Sequence, residues 1–97
     1  MITVKLKNKT GSFAENKDIA RDIRLNILIP AIERGEKVVL DFQGINSATQ
    51  SFVHALISDL MRKYGVDVIE KISFKSCNEV IQKIITIVID YMQESSN

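Results

Sequence analysis

The chain is poor in the residues that usually make a sequence easy to place. It holds one cysteine, Cys77, one proline, Pro30, one histidine, His54, no tryptophan, and only two tyrosines and four phenylalanines. A lone cysteine excludes an internal disulfide and fits a reducing compartment. One histidine, one cysteine and scattered carboxylates show no ligand spacing, so neither a metal nor a cofactor is expected. The aromatics are not interleaved with basic residues and the net charge is +1, which points away from nucleic acid and from a membrane surface. Near the end, the longest unbroken apolar run is Ile87 to Ile89, bounded by Thr86 and Asp90, far short of a membrane span. The opening MITVKLKNK has lysines where a signal peptide needs an apolar region. Gly44 and Gly65 belong to no phosphate-binding fingerprint. A cytoplasmic protein is the expectation.

What is present describes an ordinary small domain. Hydrophobic residues make up 45% and charged residues 26% of 97, enough for one core spanning residues 1–97 and not for two. Ile2, Val4 and Leu6 alternate with Thr3, Lys5 and Lys7, the pattern of a half-wet strand near a sheet edge. Ser12-x-x-Glu15 and Asn16 offer alternative starts for a helix whose stripe is Ile19, Ile23, Ile27, Leu28 and Ile32. Pro30 falls inside that stripe and predicts a kink or a restart, because it removes a donor and crowds the carbonyl of Asn26. Arg34-Gly35 closes the element.

Val38, Val39, Leu40 and Phe42 form a near-continuous apolar run, expected of a central strand covered on both faces. A polar loop, 43–50, follows. Ser47-x-x-Gln50 has capping-box spacing, with Thr49 and Ser51 as rival caps. The next helix presents Phe52, Val53, Leu56, Ile57, Leu60, Met61 and Tyr64 on one face and Gln50, His54, Ser58 and Arg62 on the other. Gly65 suits a left-handed helix end. Ile72 and Phe74 alternate with Lys71, Ser73 and Lys75 in a third strand. Ser76-x-x-Glu79 then predicts a helix over 77–93, with Cys77 in its first turn, where a thiol pKa can be lowered, although a small buried apolar side chain is the expected role. Residues 94–97 read as a frayed tail. The last helix has two apolar stripes. One is Ile81, Ile84, Ile85, Val88 and Met92; the other, Val80, Ile87 and Tyr91, suits either a well-buried helix or a homodimer.

The order is β-α-β-α-β-α: an α/β fold with a small, predominantly parallel sheet of three to four strands and three main helices. Three chemistries compete around the loop. Ser51, His54 and Asp41 are the residue types of a hydrolase or transferase, although no G-x-S-x-G elbow is present. Ser47, Thr49 and Ser51 sit where a helix begins and could accept phosphate, or simply cap. The loop and the polar helix face could instead bind a protein. On this last reading Asp41 steadies the loop, Gly44, Ser47, Thr49, Gln50 and Ser51 form it, and His54, Ser58 and Arg62 line the contact face.

Leu-Asp-Phe-x-Gly at 40–44, Ser-Phe at 51–52, Leu-Ile-Pro-Ala-Ile at 28–32, Ile-Ser-Phe at 72–74 and Asn78-Glu79 resemble the STAS-like family of small bacterial proteins, over about 11–92. More remotely the central unit is similar to the STAS domains of anti-sigma-factor antagonists. There a strand ending in Asp-Leu-x-Gly leads to Asp-Ser-Ser-Gly-Leu-Gly at a helix start, and a serine is phosphorylated by a kinase of the histidine-kinase ATPase fold. Aligned on Asp41 and Gly44, the acidic residue falls at Thr49, the acceptor serine at Gln50, the second serine at Ser51 and the glycine at Phe52. The resemblance implies a STAS-like fold and a non-enzymatic regulatory module whose partner is a regulator or such an ATPase. The hydrolase or transferase and a homo-oligomeric structural subunit are the alternatives.

Overall fold

The computed structural model describes residues 1–95. Its elements are β1 (Ile2–Lys5), a one-turn α1 (Lys7–Thr10), β2 (Phe13–Ala14), α2 (Lys17–Ile23), α3 (Ile29–Glu33), β3 (Val38–Asp41), β4 (Ser47–Ala48), α4 (Gln50–Tyr64), β5 (Ile72–Lys75) and α5 (Glu79–Ser95). β1, β3 and β5 form a parallel sheet with β3 in the middle, and β2 pairs with β4 in a separate two-stranded parallel unit. The expected α/β order and the central place of β3 are therefore present. The residues expected to fray divide at the helix end: α5 runs through Ser95, and 96–97 lie outside the described residues.

The topology dictates which face is covered. Both main crossovers, β1 to β3 and β3 to β5, step the same way across the sheet. Right-handed crossovers in one direction lay their helices on one face. Register and burial agree. Val4, Val38, Leu40 and Ile72 lie on the covered face and are buried, whereas Thr3, Lys5, Ser73 and Lys75 on the opposite face are exposed. This corrects the expectation that β3 is covered on both faces: Val39, on the open face, is only half-buried. Above the covered face α4 lies between α2 and α5. It contributes Phe52, Val53, Leu56, Ile57, Leu60 and Met61 to the core, and α5 adds Ile81, Ile85, Val88 and Met92. Burying side chains of this size is worth about 1.5–3 kcal/mol each before the entropy of ordering them.

Pro30 acts as its chemistry requires. Arg24–Leu28 opens into a wide π turn between α2 and α3, and Pro30 sits in the first turn of α3, where a missing N–H costs least. The element closes with Gly35 N–H donating to the Ile32 carbonyl and Glu36 N–H to that of Ala31, both at 2.9 Å. α4 ends at Gly65 with φ 86° and ψ 166°. That region is open to glycine but is not the left-handed helical conformation expected. A short 3-10 segment (Val66–Lys71) then leads into β5.

Candidate partner-binding site

The segment between β3 and α4, expected to be a plain polar loop, is tied down along its length. Asp41 is 5% exposed, and its Oδ1 accepts the Gln43 N–H at 2.9 Å. Phe42 N–H donates to the Lys75 carbonyl, and Ile45 N–H closes a turn onto Phe42. Gly44, at φ 83°, has a backbone conformation that residues with a side chain rarely adopt, and the flexible Lys7 side chain lies over it. A Cβ there would stand 2.6 Å from Lys7 Cδ. β4 then pairs with β2, Asn46 N–H donates to the Ser12 carbonyl, and Thr49 N–H donates to that of Ala14. From the other side Asn78 Nδ2 donates to the Asn46 carbonyl at 2.8 Å. The sequence reading missed both short strands and this tie. A two-residue strand has no periodicity to detect, and its partner lies more than thirty residues away.

Helix starts follow the true caps. Thr49 Oγ1 accepts the Phe52 N–H at 3.1 Å and so caps α4, in place of the capping box expected from Ser47. Asn16 caps α2, and Asn78 caps α5 through Ile81 N–H at 2.9 Å. Because α5 begins at Glu79, Cys77 precedes the helix and is not in its first turn. Its thiol pKa is raised, by burial and then by the nearby Asp41 carboxylate, so the lowering that a first-turn place would allow does not occur.

The three candidate hydroxyls have separate situations. Ser47 is half-buried in β4, Thr49 is half-buried and engaged as the cap, and Ser51 is exposed in the first turn of α4. Gln50 and Ser51 form one wall of an open groove of about 330 Å³, with His54 beside them and Ile87, Val88 and Tyr91 of α5 opposite. Ile87 and Tyr91 are 48% and 59% exposed, and the Tyr91 ring lies 6.5 Å from that of His54, centroid to centroid. The second stripe of α5 is therefore a surface feature, and Val80, 51% exposed, extends it beyond the groove.

Ser58 requires a correction. It is 2% exposed, with its hydroxyl 3.3 Å from His54 Nδ1, so it is a packing residue and not part of a contact face. The reason is the enclosure of α4 between two helices, which leaves only its first turn and a narrow ridge open. Arg62 is exposed on that ridge and engages Asp59 at 2.9 Å. Asp59 in turn meets Arg24, whose guanidinium donates to the Ala55 carbonyl.

The set proposed for a hydrolase is divided. Ser51 and His54 share the groove, but His54 Nδ1 meets Ser58, and Asp41 opens onto a different cleft with Lys5 and Lys7. Among the described residues no hydrogen bond joins Ser51 to His54 or His54 to Asp41. Also among the described residues, no group of three histidine, cysteine, aspartate or glutamate side chains could hold a metal ion, and no helix is long and apolar enough to cross a membrane.

A parallel α/β sheet with its helices on one face is consistent with a STAS-like α/β fold. The chain belongs to the family described as a STAS-like domain of unknown function (DUF4325), which matches residues 20–82, from α2 through the first turn of α5. This span is narrower than the 11–92 suggested by motif resemblance, and it leaves out β1, β2 and most of α5. No curated protein and no solved structure matches the chain.

Proposed function

We propose that this domain is a non-catalytic regulatory module that captures a protein partner in the groove between α4 and α5, as anti-sigma-factor antagonists capture theirs. The partner is a regulator or an ATPase of the histidine-kinase type, and the setting is the cytoplasm. The observation that carries this reading is the exposure of Ile87 and Tyr91 directly beside the exposed Ser51, at the end of a loop held from both sides. Exposed aromatic and aliphatic side chains on a preorganised surface are the usual anchors of protein contacts. A phosphoryl group on Ser51 would bring up to about two negative charges to the edge of that apolar patch and weaken capture.

The test is affinity capture from the native cell with mass spectrometry, comparing wild type with Ser51→Glu and Ile87→Ser. Both side chains are exposed, so stability should stay within about 0.5 kcal/mol of wild type while the specific partner is lost. Equal capture by all three proteins would contradict the reading. A second copy of the chain on the α5 stripe is the second reading, favoured by Val80, which lies outside the groove. Sedimentation equilibrium of wild type and Val80→Ser separates the two.

A further inference from the structure

The open face of the sheet carries a charge pattern that the groove does not use. Register sets Lys5 and Lys75 on either side of Asp41, all three on the same face at the carboxyl ends of their strands. Lys7 folds in beside them: its side chain lies over Gly44, with its Nζ 3.1 Å from where a Cβ on that glycine would stand. Lys5, Lys7, Asn8, Asp41, Gln43 and Gly44 line a shallow cleft of about 300 Å³. Among the described residues, none of Lys5, Lys7 and Lys75 is in an ion pair. The lining carries two ammonium groups against one carboxylate, and Lys75 on the neighbouring strand brings the local charge to +2, while the whole chain carries only +1.

Lysines on a sheet edge commonly serve only to discourage strand-to-strand association. That role needs neither a cleft nor a lysine laid over a glycine, and it does not explain why the charges gather around a buried acid. We propose that this cleft is a binding site for a small soluble ligand bearing a phosphoryl dianion, separate from the α4–α5 groove. Lys5 and Lys7, which line the cleft, supply charge-assisted hydrogen bonds, Lys75 adds positive charge from the neighbouring strand, and the Asn8 amide is a neutral donor at the rim. Asp41 keeps Oδ1 on the Gln43 N–H, holding the turn that carries Gly44, and its charge offsets repulsion among the lysines when the site is empty. A dianion cancels the remaining +2.

Titration of the folded protein with methyl phosphate, a monoester that is mostly dianionic at neutral pH, followed by amide shifts in low salt, tests this. Saturable shifts centred on residues 5–8 and 41–44 are expected, weakened roughly tenfold by Lys5→Gln and less by Lys75→Gln, whose charge acts from beside the cleft. Lys17→Gln, an exposed lysine on α2, should leave the titration unchanged. Asp41→Asn keeps an acceptor for Gln43 while removing the negative charge, so it should tighten binding several-fold, an effect that a purely structural aspartate would not produce. Shifts spread evenly over all lysines, loss of affinity in Lys17→Gln equal to that in Lys5→Gln, or binding only to vesicles containing phosphatidylglycerol would overturn the proposal.

Discussion

The two surfaces of the domain have opposite characters. On the helical side, the groove between α4 and α5 is apolar where Ile87 and Tyr91 stand out, and polar only at the first turn of α4. On the open sheet face the residues at the strand ends are Lys5, Asp41 and Lys75, with no large exposed apolar side chain among them. The difference follows from connectivity. Crossovers that step one way place every main helix on one side, so apolar excess collects there and the bare face must be solvated. The two surfaces meet at one segment, 41–49, which leaves the sheet at Asp41 and enters α4 at Thr49.

The comparison breaks most severely if the layer beneath the groove is emptied. Phe52 is fully buried at the start of α4, and Phe52→Ala should cost about 3–5 kcal/mol in urea unfolding. A domain of this size has little more than that to lose, so both surfaces should disappear together. Loss of less than about 1 kcal/mol would mean that α4 is not seated as described.

A milder break separates the two ends of the segment. Thr49→Ala removes the cap and should cost about 1 kcal/mol, whereas Ser47→Ala, which caps nothing, should stay within about 0.5 kcal/mol. Thermal or urea unfolding of the pair decides between the true cap and the sequence pattern; the reverse order would restore the capping box.

The smallest effect reads the charge on the sheet side. Burial and the Asp41 carboxylate both raise the Cys77 thiol pKa, so at a given pH less thiolate is present than in an open thiol. Alkylation by iodoacetamide should therefore rise with pH later than that of a free cysteine. Asp41→Asn should move the curve part of the way back, because the larger cause, burial, remains. An unchanged curve would place Asp41 too far from Cys77 to act.

How much of this was legible in the sequence depends on how local each signal is. The strand of Ile2, Val4 and Leu6 and the stripe of Ile81, Ile85, Val88 and Met92 are periodic within one element, and they point to the surfaces that the fold buries. Pro30 announced a disturbance in its helix, though not that a π turn would absorb it. The capping-box spacings at Ser12, Ser47 and Ser76 all misplaced the helix start. Asn16 and Thr49, offered by the sequence as rival caps, and Asn78, which was not, accept the backbone bonds. Spacing gives the opportunity for a cap, while the chain's exit angle from the preceding strand decides which residue takes it. The β2–β4 pair and the burial of Ser58 were not legible because both depend on neighbours distant in sequence: the partner strand for the first, the two helices that enclose α4 for the second. The start of α4 is marked in the sequence by its loop and caps, whereas the apolar half of the groove, Ile87 and Tyr91, stands on another helix, and periodicity does not say which neighbour that stripe faces.

The most direct test of the central claim is to map where the partner sits. With a captured partner purified and titrated into the labelled domain, amide shifts should concentrate at Gln50, Ser51, His54, Ile87 and Tyr91 and leave Lys5 and Lys75 unmoved. Shifts concentrated instead on Lys5, Lys75 and their neighbours on the open sheet face would contradict the account, because the charged surface and not the groove would then be the one that binds protein.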